Sequence, residues 1–546
     1  MDKLQALKQY FGYSQFRSGQ EEIIDALLAG RDVLTVMPTG AGKSLCFQLP
    51  AILGSGLSLV VSPLISLMKD QVTALNACGV PAAWINSSLT PGQQAEALRR
   101  AGAGRYKLIY VAPERLTAPA FVRFAQNAAI DYLIVDEAHC ISQWGQDFRP
   151  SYLRLHDFAA ALPQRPVLAA FTATATQRVR QDVLRLLELR QPLVHVGGFD
   201  RPNLYFEVRQ PRDKLRELLY LLDQRPDQSG VVYCSTHRNV EEVCAALQQA
   251  GYSAAPYHAG LPEEERRQAQ EDFLFDKVNL MVATNAFGMG IDKSNVSFVI
   301  HYNMPKDVER YYQEAGRAGR DGAPADCILL YAKKDVALAQ WMINNSRRET
   351  DSLSEAELAA VKAIELDRLK RMTFYATTRD CLRGYILRYF GESATPACGR
   401  CGNCLAPASP ARTPERRDEP DADWDRSEAQ TRRRASYGNV YGEEDGSVLP
   451  AKARLKAERA ARGNAAKVRA DIQDEQLFQR LRQVRQELAR EAGVPNFVVF
   501  SDATLIAMSN ARPRTQADLR QISGVGEVKL ERYGSAFLRA IREYEA

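Results

Sequence analysis

The chain has 546 residues, of which 45% are hydrophobic and 25% are charged. At about 100–200 residues per domain, this length predicts three to five domains, and the composition excludes global disorder and fibrous architectures. No apolar run reaches the roughly 18–20 residues that cross a bilayer, and the N-terminus lacks the apolar segment of a signal peptide. We therefore expect an intracellular protein with no membrane partner. The net charge of +5 permits a nucleic-acid partner without requiring one.

The first 335 residues alternate strand-like apolar runs with amphipathic segments. The runs lie at residues 32–37, 57–63, 107–113, 131–136, 167–174, 230–235, 279–284 and 298–303. Such alternation predicts βαβ units on parallel sheets. Because the pattern restarts after Gly197-Gly198, we predict two α/β lobes, at residues 1–198 and 199–335.

The rest of the chain has a different character. Residues 336–406 are mostly helical in pattern and end in a cysteine cluster. Residues 407–470 contain prolines, many charged residues and few large apolar ones, so they cannot bury a core. We predict a flexible linker there, with a long exposed helix over 451–470 as the alternative. Helical periodicity resumes in residues 471–546, which predicts a small all-α domain.

A phosphate-binding loop is predicted between the first strand and the helix that follows it. Residues 38–44 read Pro-Thr-Gly-Ala-Gly-Lys-Ser. Glycines in such a loop let backbone N–H groups turn toward phosphates at a helix N-terminus, the lysine charge reaches the β- and γ-phosphates, and the serine hydroxyl binds Mg²⁺. A chance glycine-rich turn is the alternative. The predicted ATP-binding residues of this loop are Thr39, Gly40, Gly42, Lys43 and Ser44.

Two further charged motifs fit the same chemistry. Asp136 and Glu137 follow the apolar run Leu-Ile-Val, and burying two adjacent carboxylates is costly unless a cation is present. We predict that Asp136 holds Mg²⁺ and that Glu137 acts as general base toward the attacking water. In the second lobe, Arg317 and Arg320 share a helix face and are predicted to reach ATP across the cleft. A solvated basic helix end is the alternative for the two arginines.

Together these motifs resemble those of superfamily 2 helicases, and most closely those of RecQ-family DNA helicases. Residues 11–20 are similar to the adenine-recognition motif of that family. The resemblance implies that Tyr13 stacks on adenine, that Gln20 bonds its N6/N7 edge and that Arg17 braces the pocket. Further RecQ-like motifs lie at residues 62–71, 112–115, 136–139, 171–175, 233–236, 257–260 and 283–292.

Residues 140–150 resemble the aromatic-rich loop that couples DNA binding to ATP hydrolysis in RecQ helicases. Trp144 and Phe148 offer faces for stacking on bases, and Arg149 offers a partner for phosphate. Gln143 belongs to the same predicted DNA-binding set. The alternative is that the aromatic side chains only pack under the lobe. Gln146 stands where the family usually has histidine.

Four cysteines, Cys381, Cys398, Cys401 and Cys404, have spacings that suit a closed tetrahedral Zn²⁺ site. The RecQ zinc module has this arrangement, while an iron–sulfur cluster and free thiols remain as alternatives. In the helical region before them, Arg368, Lys370 and Arg371 either contact DNA or form a solvated helix face.

The C-terminal residues 471–546 resemble an HRDC domain, a helical module of many RecQ helicases. Its Gly524-Val525-Gly526 turn either accepts a phosphate on backbone N–H groups or only packs two helices. The common RecQ architecture places a winged helix between the zinc module and this domain. Residues 407–470 occupy that place here, and they show no periodicity of a winged helix.

The resemblance therefore implies two RecA-like lobes, a helical zinc module and an HRDC-like domain. It also implies an ATP- and Mg²⁺-dependent helicase that moves 3′→5′ on single-stranded DNA and unwinds forked or partial duplexes in repair and recombination. Single-stranded-DNA-binding proteins and repair proteins are the protein partners it allows. The alternatives are a DNA-stimulated translocase that unwinds poorly, an RNA helicase, and a nucleic-acid scaffold with an inactive motor.

Overall fold

A computed structural model gives the fold for residues 1–545. It describes this range except for 146, 227, 288–292, 294, 346–354, 407–472 and 495. The predicted linker, the proposed absence of a winged helix, Gln146 and part of the motif at 283–292 therefore lie outside the described residues. Within the described part of the chain, no helix is both long enough and apolar enough to cross a membrane.

The N-terminal lobe is built on a parallel sheet of seven strands in the order β3-β4-β2-β5-β6-β1-β7. The strands are β1 (Val33–Val36), β2 (Leu57–Val61), β3 (Ala82–Ile85), β4 (Leu108–Val111), β5 (Ile130–Val135), β6 (Val167–Thr172) and β7 (Leu193–Val196). The central strands are buried on both faces, as their continuous apolar sequences require. Since β6 alone separates β1 from β5, the segments that follow β1 and β5 emerge side by side at one edge of the sheet.

Helices cover both faces of this sheet. They are Lys3–Ala6, Leu7–Phe11 (a π-helix), Gln20–Leu28, Lys43–Leu53, Ile65–Ala77, Pro91–Gly102, Pro119–Asn127, Leu155–Ala160 and Gln177–Leu186, with 3₁₀ turns at Pro113–Thr117, Ala138–Ile141 and Pro150–Arg154.

The second lobe repeats the plan with a parallel sheet of six strands in the order β10-β11-β9-β12-β13-β8. Its strands are β8 (Leu204–Arg209), β9 (Gly230–Tyr233), β10 (Ala254–Tyr257), β11 (Leu280–Ala283), β12 (Phe298–His301) and β13 (Ala325–Leu330). The helices are Lys214–Asp223, His237–Gln249, Glu263–Leu274 and Val308–Ala315.

A helical module follows the second lobe and packs where the two lobes meet. Its helices are Lys333–Asn345, Glu355–Thr377, Leu382–Tyr389 and Gly402–Leu405. Phe390 stacks on Phe199 with ring centroids 4.3 Å apart, and Tyr375 lies 5.0 Å from Tyr311 by the same measure. These buried aromatic contacts fix the module against the segment that joins the lobes and against helix Val308–Ala315.

The C-terminal domain consists of helices Glu475–Ala492, Asn496–Val499, Asp502–Ala511, Gln516–Arg520 and Glu527–Glu545. It has its own core, which includes Phe500 and Phe537. The domain contacts both lobes, because Gly524 N–H donates to the Gly12 carbonyl at 3.0 Å and the Asn496 amide donates to Asp276 Oδ2 at 2.9 Å.

The predicted α/β architecture with two parallel-sheet lobes and helical modules is confirmed. A strand lies at each of the predicted runs, whereas β3, β7, β8, β10 and β13 were not among them. β7 is an edge strand in which Val194 and Val196 are exposed, and β10 contains Pro256, so neither shows a long apolar run. The domain boundaries remain predictions.

Candidate nucleotide and nucleic-acid site

The loop after β1 has the backbone of a phosphate cradle. Gly40 and Gly42 adopt φ values of 82° and 85°, the left-handed region in which a Cβ would be strained. Gly42 caps helix Lys43–Leu53, whose first N–H groups have no partner within the helix and are suited to bind an anion. Ser44, the second residue of this helix, is partly buried.

The Lys43 side chain points back toward the start of the loop, and its ammonium donates to the Met37 carbonyl at 3.3 Å. Burial lowers the pKa of Lys43, while the nearby charges of Glu137 and Asp136 act in the opposite direction. The lysine is thus a cation held beside two carboxylates at the edge where β1 and β5 end. The two motifs predicted this association, because both fit the chemistry of one nucleotide site.

In the acidic pair after β5, Asp136 is buried and Glu137 is partly buried. Asp136 is 9% exposed, accepts from the Ser62 hydroxyl at 3.4 Å and from the Glu137 N–H at 3.0 Å. Burial raises the pKa of Asp136, and the adjacent Glu137 raises it further. The Tyr152 hydroxyl donates to the Asp136 carbonyl at 2.9 Å and fixes the backbone there. Two adjacent acids, one buried and one partly buried, are suited to a bound cation.

Glu137 has an unusual backbone, with φ at 47°, which costs energy for a residue other than glycine. Burial opposes its ionisation, but His139 and the Lys43 charge outweigh burial and lower the pKa of Glu137. His139 Nδ1 lies 3.3 Å from Glu137 Oε2 and 2.8 Å from Thr172 Oγ1. His139 therefore links the carboxylate to the end of β6, a role that sequence reasoning did not assign.

The arginine segment of the second lobe lies against the phosphate loop. Thr39 Oγ1 donates to the Gly316 carbonyl at 3.1 Å, and a Cβ built on Gly40 would lie 3.5 Å from Arg320 Cγ. Arg317 is 7% exposed, and its charge is among those that act on Glu137. The structure thus brings Arg320 to the phosphate loop and Arg317 near Glu137. The prediction that the two arginines share a helix face is wrong, because helix Val308–Ala315 ends before them and both lie in the turns that follow.

Arg201 joins the same two segments and was missed by sequence reasoning. Its guanidinium donates to the Thr39 carbonyl at 2.8 Å on one lobe and to the Gly319 carbonyl at 2.7 Å on the other. Further bonds reach the carbonyls of Gly316 at 3.3 Å and Ala318 at 3.1 Å. It lines a cleft of about 520 Å³ between the lobes together with Arg17, Gly40, Ala41 and Arg320.

The adenine-motif residues surround the phosphate loop from the other side. Tyr13 is 41% exposed, so its ring is open to a ligand. The buried Gln20 amide donates to the carbonyls of Ala41 and Gly42, each at 3.2 Å, and Arg17 Nη1 donates to the Gly40 carbonyl at 2.7 Å. In this conformation Gln20 and Arg17 hold the loop, so their adenine contacts stay a prediction.

The predicted DNA-binding loop is folded onto the protein. The Arg178 guanidinium covers one face of Trp144, at 3.1 Å from the ring centroid. Arg149 is paired with Asp147 at 3.1 Å, and Phe148 is partly buried, whereas Gln143 is exposed. Stacking of Trp144 on a base at that face would require Arg178 to move.

The four predicted zinc ligands meet at one point. Cys381, Cys398, Cys401 and Cys404 bring their sulfur atoms within 4.8 Å of one another, with two Sγ–Sγ distances of 4.0 Å. Zn–S bonds of about 2.3 Å in a tetrahedron separate sulfur atoms by about 3.8 Å, so the donor set fits this metal. All ten cysteines of the chain are free of disulfides.

In the helical region before these cysteines, the three basic residues differ. Arg368 is largely buried and donates to the Trp144 carbonyl, and Arg371 pairs with Asp367 at 2.9 Å. Lys370 is exposed. Neither predicted role, contact with DNA or membership of a solvated helix face, therefore fits Arg368.

The Gly524-Val525-Gly526 turn is also engaged within the protein. Because Gly524 N–H donates to the Gly12 carbonyl, the turn packs on the N-terminal lobe rather than offering that N–H to a phosphate. Neither predicted role of the turn, binding a phosphate on its N–H groups or only packing two helices, included this contact with the N-terminal lobe.

Two α/β lobes with a phosphate loop on one and arginines on the other define a two-lobed helicase motor. The DEAD/DEAH box helicase family model matches residues 17–183, and the Helicase conserved C-terminal domain model matches residues 213–322. The RecQ zinc-binding model matches residues 333–405, and the HRDC domain model matches residues 474–541. The chain belongs to the RecQ family of ATP-dependent DNA helicases, as its motifs predicted.

Similar proteins cover nearly the whole chain. The ATP-dependent DNA helicase RecQ of Bacillus subtilis is 39% identical over 98% of this chain and 98% of its own. RecQ of Haemophilus influenzae is 36% identical over 100% of this chain and 96% of its own. The solved structure of Saccharomyces cerevisiae Dbp5 bound to RNA and ADP BeF3 superposes with a TM-score of 0.50 at 20% identity, covering 66% of this chain and 96% of that chain, which supports the fold alone.

Proposed function

We propose that this protein hydrolyses ATP at the junction of its lobes and uses the energy to move 3′→5′ along single-stranded DNA, unwinding forked or partial duplexes during repair and recombination. The observation that carries the proposal is the direct contact of the arginine segment with the phosphate loop, through Thr39 and Gly316 and through Arg201. A nucleotide bound there would contact both lobes, so that its hydrolysis and release would change how they fit together.

Each side chain of the site has a proposed role. Lys43 and the N–H groups that follow Gly42 bind the phosphates, and Glu137, kept ionised by its surroundings, accepts a proton from the attacking water. Arg317 and Arg320 stabilise charge on the transferred phosphoryl group. Tyr13, Gln20 and Arg17 bind the adenine end of the cleft.

Two metals are part of the proposal. The Ser44 hydroxyl and Asp136 would hold Mg²⁺, which neutralises phosphate charge when it is bound. The four cysteines would hold one Zn²⁺ that stabilises the module without a chemical role, because four thiolates leave no open position.

For DNA, we propose that the loop at 142–149 contacts the single strand with Trp144, Phe148, Arg149 and Gln143. Release of Arg178 from the Trp144 ring would cost about 1 kcal/mol, which the stacking of one base, at about 1–3 kcal/mol, would offset. The loop follows directly after Glu137 and His139, so movement in it reaches the hydrolytic site. For a bacterial cell, the proposal includes a cytoplasmic location in association with the nucleoid, where the proposed substrate would be found.

The test measures ATP hydrolysis with and without single-stranded DNA, and then unwinding of partial duplexes with a 3′ or a 5′ tail. We expect DNA-stimulated hydrolysis and unwinding of 3′-tailed and forked substrates. Robust stimulated hydrolysis with unwinding near zero would support the poorly unwinding translocase instead. Absence of DNA-stimulated hydrolysis would overturn the proposal.

A further inference from the structure

Arg368 connects two elements that belong to different lobes. It lies in helix Glu355–Thr377 with its side chain 15% exposed. Its guanidinium donates to the Trp144 carbonyl and, through Nη1, to the Gly145 carbonyl at 3.3 Å. Nε of the same group lies 4.0 Å from Glu309 Oε1. The planar guanidinium of Arg368 therefore contacts both the predicted DNA loop and the Glu309 carboxylate of the second lobe.

The carboxylate end of this link leads directly to the arginine segment. Glu309 is buried in the first turn of helix Val308–Ala315, and Arg317 and Arg320 follow the end of that helix. The helix is held firmly against helix Glu355–Thr377, since the Tyr375 hydroxyl donates to the Tyr311 hydroxyl at 3.2 Å. A displacement of the Arg368 guanidinium would therefore act on a short, well-packed helix.

The other end of the link is a segment whose side chains are anchored in the N-terminal lobe. Ser142 donates to Asp182 at 2.6 Å, and Trp144 is covered by Arg178, both partners lying in helix Gln177–Leu186. The carbonyls of Trp144 and Gly145, by contrast, point to Arg368. A rearrangement of the loop backbone on DNA binding would move these carbonyls and so disturb their bonds to Arg368.

We propose that Arg368 is a positioning residue that transmits the state of the loop at 142–149 to Arg317 and Arg320. The inference rests on the proposed coupling role of that loop. A direct DNA contact is disfavoured because the donors of Arg368 face protein oxygens and the side chain is largely buried. The planar guanidinium reaches several acceptors at once, whereas lysine would present a point charge to one acceptor at a time and should therefore preserve only part of the link.

The test compares the full-length protein with Arg368→Gln and Arg368→Lys, using Arg379→Gln as the matched control. Arg379 lies in the same helical module and is exposed. Stimulation of ATP hydrolysis by saturating single-stranded DNA, measured as kcat, should fall about tenfold in Arg368→Gln, with partial recovery in Arg368→Lys. The dissociation constant for DNA in the Arg368 variants, and all values for Arg379→Gln, should stay within about twofold of the parent protein.

Three outcomes would decide against the inference. Unchanged stimulation in both Arg368 variants would overturn it, as would weaker DNA binding with a normal maximal rate, which would make Arg368 a DNA contact. If Arg368→Gln fails to fold, as judged by thermal unfolding and zinc content, Arg368→Lys and Glu309→Gln still test the link, and full stimulation in both overturns it. Trp144→Ala and Phe148→Ala serve as the separate test of the loop. If they leave stimulation intact, the proposed function of the loop fails.

Discussion

Gly524 of the C-terminal domain donates its N–H to the carbonyl of Gly12, at 3.0 Å, immediately before the exposed ring of Tyr13. Gly12 ends the π-helix Leu7–Phe11 with φ at 75°, a conformation that glycine adopts without strain. The contact places the HRDC domain against the segment predicted to bind adenine. The domain is therefore positioned to influence nucleotide binding.

We expect Gly526→Val to weaken ATP binding by separating the C-terminal domain from this segment. A Cβ at position 526 would lie 3.0 Å from the Gln9 carbonyl oxygen and 3.3 Å from the Gly12 nitrogen, so the facing backbone must shift by a few tenths of an ångström, and the two γ-methyl groups of valine add to this crowding. Loss of an interface hydrogen bond of about 1 kcal/mol predicts a rise of about fivefold in KM for ATP. Steady-state kinetics and hydrogen exchange of residues 8–13 measure the effect.

The matched control for that substitution is Gly493→Asn, because Gly493 ends a helix with φ at 64° and has no atom near its Cβ position. Asparagine tolerates this conformation. If KM rises equally in both variants, the effect comes from the stability of the domain and not from its contact with Gly12.

Lys43→Ala should abolish hydrolysis while leaving the fold intact. The lysine is the cation beside Asp136 and Glu137, and its removal takes away the charge that would meet the phosphates. We expect kcat to fall by at least about 10²-fold, with a thermal midpoint that changes by only a few degrees, about what a substitution without a cavity produces. Retained turnover would refute the assignment of the loop.

The motifs predicted that the Lys43 loop and the acidic pair act together, and the parallel sheet explains why they lie close to each other. Lys43 follows β1 and Asp136 follows β5, and because only β6 lies between these two strands, their carboxyl ends emerge near each other at one edge of the sheet. Arg201 and Arg368 could not be predicted in the same way. Both bind backbone carbonyls, which have no sequence signature, and both act between elements far apart in the chain.

The zinc prediction is tested by elemental analysis, which should find about one zinc per chain. Cys401 is fully buried, so Cys401→Ser should lose the metal and lower the thermal midpoint. The effect should extend to the ATP site, because Arg383 of the same module donates to the Arg201 carbonyl at 2.7 Å. Cys244→Ser, at a buried cysteine of helix His237–Gln249 outside the cluster, is the control that should retain the metal. Metal-free protein with normal stability would remove the zinc site from the proposal.

Arg201→Lys should slow ATP hydrolysis although it keeps the positive charge. The Arg201 guanidinium donates to the Thr39 carbonyl on one lobe and to the carbonyls of Gly316, Ala318 and Gly319 on the other. A lysine ammonium lacks the planar guanidinium and cannot bond all four carbonyls at once. If the bridge holds the arginine segment over the phosphate loop, loss of about 1–2 kcal/mol of hydrogen bonding predicts a decrease of about tenfold in kcat. Arg212→Lys is the control, because Arg212 is exposed in the same lobe and should tolerate the change. Single-turnover hydrolysis separates the chemical step from product release, and equal single-turnover rates in the two variants would show that Arg201 only joins the lobes and does not support the reaction.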